Sequence, residues 1–141
     1  QPPDALPFLQ LQEGGAGLMA RIRTTKPSFW GSSTVAKLSR DARLTTLGLI
    51  SFADDDGRFL AATNAINGFV YPNDDLAPSK VRKWIDEIVK STLIHEYEND
   101  GIRYGCFPSW HEHQVINRYT PSQLPEPDVE CAPRNNRKDA A

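Results

Sequence analysis

The clearest periodic pattern in the chain lies between positions 78 and 91. Apolar residues recur there at intervals of three and four: Val81, Trp84, Ile85, Ile88 and Val89. This spacing places side chains on one face of an α-helix. Pro78 suits the first turn of a helix, where an N–H group would have no partner inside the helix. The pattern therefore predicts a helix from about Pro78 to Ser91 that buries a single apolar stripe.

Two further helices and a strand are predicted upstream of that pattern. Ser39 suits the N-cap of a helix over residues 40–53, and Thr63 suits the N-cap of a second, short helix. Three aspartates and a glycine at positions 54–57 form a turn signal. The apolar-rich run 58–60 that follows predicts a short strand.

A β-hairpin is predicted after the third helix. The runs 94–97 and 102–107 are rich in apolar and aromatic residues, and they flank a Glu-Asn-Asp-Gly turn at 98–101. Three helices followed by such a hairpin predict an α+β fold, a winged helix-turn-helix with three helices plus a C-terminal β-hairpin wing. In that arrangement the third helix presents its outer face to the major groove of DNA.

The outer face of the third helix carries several bases. Arg82 has the fork of donors that reads a guanine, whereas a lysine mostly supplies charge. The alternative is a solvated face of mixed charge on an ordinary core helix, because Asp86 and Glu87 lie on the same side. The residues of the helix and hairpin that we expect to contact DNA are Ser79, Lys80, Arg82, Lys83, Lys90 and Arg103.

A second basic cluster opens the domain at residues 19–27. Arg21, Arg23 and Lys26 alternate there with small or apolar residues, which is typical of an extended arm laid along a DNA groove. In the alternative interpretation, Ile22 and its aromatic neighbours anchor the segment on the core and the bases only point outward. The aromatic neighbours are Phe29 and Trp30.

Composition and charge narrow the function class. The chain has 141 residues, enough for one domain, and its formal net charge is −2 because acidic clusters offset the basic ones. We expect a flexible leader or expression remnant over 1–18, the winged-helix domain over 19–118 and a Pro-rich, mobile tail over 119–141. The hairpin tip is acidic and would be repelled by phosphate. This favours the alternative of a protein-interaction module that docks on a replication or host protein without appreciable DNA affinity.

Several kinds of chemistry are not expected. No apolar run approaches the ~20 residues of a membrane-spanning helix, and two cysteines favour a reducing setting over secretion. The spacing of Cys106, His111 and His113 lacks the paired ligands of a zinc site. No phosphate-binding loop or catalytic triad stands out, so we expect no enzyme, no metal and no cofactor.

The large aromatic residues are assigned to the core or to a dimer contact. Core packing is expected for Trp30, Trp84 and Trp110, because large aromatics dominate the cores of small domains. Phe29 and Tyr119 lie near the ends of the core segment, and a contact with a second copy of the chain is the alternative for them.

Three stretches of the chain resemble a family of small phage and prophage proteins. They are MARIRTTKPSFW, LSRDARLTTLGLISFADDDGRF and FPSWHEHQVINRYTPSQLP, and the likeness spans about residues 19–125. Members are described as helix-turn-helix or replication-initiation proteins, and their first domain is similar to the winged helix of replisome organisers. The resemblance implies an Arg21/Arg23 arm, a recognition helix at 78–91 and a wing around 94–107. It also implies binding of double-stranded DNA, for replication or transcription regulation, in the cytoplasm of a bacterial host.

Overall fold

The structure is a computed structural model that describes residues 21–127. Those residues form a mixed α+β fold with six helices and one three-stranded antiparallel sheet. The elements are α1 Ser28–Gly31, α2 Ser33–Ala36, α3 Arg40–Phe52, β1 Arg58–Leu60, α4 Thr63–Val70, α5 Pro78–Lys90, β2 His95–Asn99, β3 Ile102–Cys106 and α6 Trp110–His113.

The predicted helices and strands are confirmed, with small differences at their ends. The Ser39 hydroxyl accepts a hydrogen bond from the Ala42 backbone N–H, as the N-cap prediction requires. The N-cap of α4 is Ala62 rather than Thr63, so that prediction is wrong. Ala62 takes the extended backbone of an N-cap, and its methyl group cannot accept a hydrogen bond. Helices α1, α2 and α6, four residues each, were not predicted.

Helices α3, α4 and α5 pack against one another around the core. The apolar stripe of α5 is buried as predicted at Val81, Ile85 and Ile88, while Trp84 and Val89 are partly buried. This packing leaves the opposite side of α5 at the surface, because a helix buries only one stripe.

The sheet joins the hairpin to the helices. Its strand order is β1-β3-β2, so the short strand between α3 and α4 pairs with the last strand of the hairpin. Asp100 and Gly101 both have positive φ angles of 53° and 78°, the backbone of a tight two-residue hairpin turn. The turn fixes the register Asn99↔Ile102 and keeps the hairpin short.

The aromatic assignments are partly wrong. Trp110 is buried, but Trp30 is 62% exposed and touches Phe29 edge to face on the short helix α1. Ile22 is 100% exposed and does not anchor its segment. A four-residue helix has too little surface to bury two adjacent aromatic rings, which explains why one of them faces outward.

Candidate nucleic-acid interface

The outer face of α5 carries three exposed lysines. Lys80, Lys83 and Lys90 are all at the surface with Ser79, and within residues 21–127 none of the three lysines forms an ion pair. Pro78 starts the helix, and the buried stripe fixes which side faces outward. Their ammonium groups are therefore available to an anionic partner.

Arg82, by contrast, forms ion pairs with two carboxylates of the protein, those of Asp86 and Glu96. Its Nη2 lies 2.6 Å from Asp86 Oδ1 and 2.7 Å from Glu96 Oε1, and its side chain is 29% exposed. Hydrogen bonding to Glu96, outweighing the effect of burial, raises the pKa of Arg82 above its ordinary value. The expectation that Arg82 contacts a guanine stays a prediction, and in this structure two of its three nitrogens, Nε and Nη2, already donate to carboxylates.

Arg103, the predicted wing contact, shares the same carboxylate. Its Nη1 lies 3.1 Å from Glu96 Oε1, although about half of its side chain remains exposed. The Glu96 side chain is only 8% exposed, and its second oxygen is buried with no hydrogen-bond partner. One buried carboxylate thus binds an arginine from α5 and an arginine from β3.

Two further bases, which the sequence analysis missed, lie beside the lysines of α5. Glu87 accepts hydrogen bonds from the backbone N–H and the hydroxyl of Ser39, at 3.0 and 2.9 Å. These bonds hold the start of α3 against α5. Lys37 and Arg40 flank Ser39, and both are exposed. On α5, Lys83 and Lys90 lie four and three positions from Glu87, so they share its face of the helix.

The predicted basic arm folds back onto the protein. The Arg23 side chain is 4% exposed and donates to Asp55 Oδ1 at 3.1 Å and to the Ala53 carbonyl at 3.0 Å. It also lies 5.1 Å from the centre of the Trp110 ring. Arg21 pairs with the other oxygen of Asp55 at 3.2 Å. The groove-binding role expected of Arg21 and Arg23 is therefore not supported, since both pair with Asp55 and Arg23 is almost fully buried.

Lys26 is exposed but also has a partner. Its Nζ donates to the Glu112 carbonyl at 3.0 Å. Two residues earlier, Thr24 exchanges backbone hydrogen bonds with the Gln114 side chain, at 3.0 and 2.8 Å. The segment before α1 therefore runs along the segment that follows α6 rather than away from the domain.

The acidic turn 54–56 holds both ends of the described chain. Thr120 and Ser122 donate backbone N–H groups, each at 2.9 Å, to Asp55 and Asp56. The Ser122 hydroxyl donates to Asp54, and the Tyr119 hydroxyl donates to Asp56 at 2.7 Å. Residues 119–127 lack regular structure, as expected, but they are held by the core rather than free of it. These bonds form because the buried carboxylates need donors. The mobile tail stays a prediction, and residues 128–141, like the predicted leader 1–18, lie outside the described residues.

Two of the aspartates, Asp54 and Asp56, have pKa values shifted in opposite directions. Burial raises the pKa of Asp54 above its ordinary value, despite hydrogen bonds that act in the other direction. Burial acts in the same sense on Asp56, but bonds from Tyr119, Ser122 and His111 outweigh it and lower the pKa of Asp56. Burial and the bond to Asp56 raise the pKa of Tyr119 to about 12. The turn is thus a structural cluster in which bound donors stabilise charge.

Cys106 is disulfide-bonded, so it is not the reduced thiol that a reducing setting predicts. It is the single cysteine among residues 21–127. Within the described range, no three His, Cys, Asp or Glu side chains are placed to hold a metal ion.

Comparisons of this chain with family models, with curated proteins and with solved structures find no match. The resemblance to phage proteins therefore stays a prediction. The described helices include none that is long and apolar enough to cross a membrane.

Proposed function

We propose that this protein binds double-stranded DNA as a winged helix-turn-helix, with α5 as the helix that enters the major groove. The observation that carries the proposal is the row of exposed, unpaired lysines on α5, opposite its buried stripe. The order of elements, three core helices followed by the β2–β3 hairpin, supports the same arrangement. A phage replication or transcription role rests on the resemblance alone.

The interface differs from the one that the sequence favours. Lys80, Lys83 and Lys90 are its centre, and Lys37 with Arg40 extends it along the start of α3. Lysines bind phosphate as point charges, so the contacts belong to the DNA backbone. Arg21 and Arg23 are not part of this interface, because both pair with Asp55.

Fluorescence anisotropy on a labelled duplex, between about 50 and 200 mM salt, tests the proposal. The three lysines together should contribute about 2.7 to the log–log slope with salt. The triple variant Lys80→Gln/Lys83→Gln/Lys90→Gln should reduce the slope by that amount, leaving the contribution of Lys37 and Arg40, while circular dichroism stays unchanged. The matched control is Lys26→Gln, which removes an exposed charge from the predicted arm and should leave the affinity unchanged. Equal binding by the wild type and the triple variant would contradict the assignment of α5.

A second candidate function is a protein-docking module. Ile22 is fully exposed and Val115 is largely exposed, on the two segments that the Thr24–Gln114 bonds hold together. Adjacent apolar side chains at the surface favour contact with a protein. A wild-type chain that binds no duplex at low salt, yet loses a binding partner in Ile22→Ser/Val115→Ser, would favour this function.

A further inference from the structure

A buried carboxylate and two arginines meet at the junction between α5 and the hairpin. Glu96 on β2 accepts from Arg82 of α5 and from Arg103 of β3, at 2.7 and 3.1 Å, through the same oxygen. Asp86 adds a second bond to Arg82 at 2.6 Å. These two arginines are the only ones on α5, β2 and β3. Both guanidinium groups of α5 and the hairpin are therefore bound to Glu96.

The burial of Glu96 makes this restraint strong. Its side chain is 8% exposed, and a buried carboxylate left without cationic partners is costly. If Arg82 moved from Glu96 to a phosphate, the buried carboxylate would lose a cationic partner, and that loss costs free energy. The second oxygen of Glu96 is buried without a partner, so the carboxylate depends on the two arginines for its stabilisation.

The restraint decides which side chains the interface offers. The face of α5 presents lysines as its free cations, and a lysine is a compact charge without the fork that pairs with guanine O6 and N7. Phosphate contacts position a protein on DNA but carry no sequence information directly. Duplex binding through this face should therefore depend strongly on salt and weakly on sequence.

We propose that Glu96 restrains Arg82 and Arg103, so that the chain binds duplex DNA through its lysines with little discrimination between sequences, and that removing the charge of Glu96 releases both arginines toward DNA. This inference rests on the proposed DNA-binding function. It adds the substrate class, duplex DNA of any sequence, and a residue that sets the binding mode.

The test compares Glu96→Gln with Glu98→Gln in the full chain. Both variants remove one negative charge from β2, but Glu98 is exposed at the hairpin tip and no hydrogen bond ties its side chain to Arg82 or Arg103 within residues 21–127. Anisotropy is measured on several mixed-sequence duplexes of about 20 base pairs over a salt series. Circular dichroism and thermal unfolding confirm that each variant is folded.

The restraint predicts a specific difference between the two variants. Two released arginines should steepen the salt slope by about 1.8 and raise affinity on the order of tenfold at low salt. Glu98→Gln should give a smaller rise with no change of slope. Adding Arg82→Gln to Glu96→Gln should remove at least half of the added slope. If Glu96→Gln binds no better than Glu98→Gln, or binds less well than the wild type, the restraint is wrong and Glu96 only braces the hairpin.

A variant that fails to fold does not block the test. The triple variant Arg82→Gln/Glu96→Gln/Arg103→Gln removes the buried carboxylate charge together with both arginine charges, and under the restraint it should bind DNA within about twofold of the wild type. A large loss of affinity in that variant would show that the arginines already contact DNA, and it would overturn the inference.

The outcomes separate this inference from the proposed function. Wild-type binding that prefers one duplex by a hundredfold or more would overturn the low discrimination and leave DNA binding intact. Binding by Glu96→Gln but not by the wild type would support the restraint and contradict the proposed function. Absence of binding by both proteins would overturn both proposals.

Discussion

Two groups of basic residues in this protein have opposite surroundings. Arg21 and Arg23 lie under residues 112–122 and pair with Asp55, which is fully buried. Lys80, Lys83 and Lys90 stand on the outer face of α5 with no carboxylate partner in the described part of the chain. Both groups look alike as clusters of bases along the sequence. The difference shows that a charge cluster indicates a binding surface only if no buried acid lies opposite it.

The largest effect should come from breaking the buried pair. Replacing Asp55 with Ala leaves Arg23 buried without its partner, and such a loss costs about 3–5 kcal/mol. We expect the unfolding free energy measured in urea to fall by that amount. The matched substitution Asp41→Ala removes an exposed acid from α3, and we expect a much smaller change. A loss below about 1 kcal/mol for Asp55→Ala would mean that the pair does not hold the arm.

The aspartates beside this pair should respond to pH in opposite directions. The lowered pKa of Asp56 means that its charged form stabilises the fold above its ordinary pKa of 3.8, and that this contribution is lost as pH falls through the folded value. The raised pKa of Asp54 means that its contribution is fully present below 3.8 and is lost as pH rises through the folded value.

Two asparagine variants measure this contrast. Asp56→Asn should lose less stability than the wild type as the pH falls from about 5 to 3, because it has no such charge to lose. Asp54→Asn should lose more, because the wild type gains from protonating Asp54 over that window. Urea unfolding at each pH gives the stability of both variants. Parallel curves of stability against pH would contradict the opposite pKa shifts of Asp54 and Asp56.

A smaller effect is expected at the edge of the acidic cluster. Tyr119→Phe removes the hydroxyl that donates to Asp56, and a bond to a charged group at a half-exposed position is worth about 1 kcal/mol. Because the pKa of Tyr119 is raised to about 12, its contribution is present below pH 10 and is lost as pH rises toward 12. Urea unfolding of Tyr119→Phe and wild type should therefore differ at pH 7 and converge at high pH.

The smallest effect on stability should come from the exposed lysines. Lys83→Gln should change the unfolding free energy by no more than about 0.5 kcal/mol, because its side chain contacts solvent. The same variant should reduce the salt slope of DNA binding by about 1. A stability loss with an unchanged slope would place Lys83 in the structural group rather than the binding group.

Local pattern was sufficient to predict α5 and the hairpin. Val81, Ile85 and Ile88 fall on one side of a chain only if that chain is helical. Asp100 and Gly101 can adopt the positive φ angles that a two-residue turn needs. The lysines of the candidate interface follow from the same stripe, because they are what the buried face leaves outside. Short helices such as α1 and α2 were not predicted, because four residues are too few to show a periodic pattern of apolar positions.

The partners of the arginines could not be predicted. Arg23 and Asp55 are 32 positions apart, and Arg82 and Glu96 are 14 apart, so no spacing rule links them. Lys37 and Arg40 joined the candidate interface only through the Glu87–Ser39 bonds, which span 48 positions. The exposed ring of Trp30 shows the same limit, since size alone predicts burial and only packing decides it.

The sequence by itself determined the three core helices, the hairpin and the side of α5 that faces outward, because periodicity and turn chemistry act over a few neighbouring residues. Only the tertiary structure decided which bases remain free. A charged side chain in a folded protein is either solvated or paired. Which of the two holds for a base depends on whether folding brings a buried carboxylate from a distant part of the chain next to it.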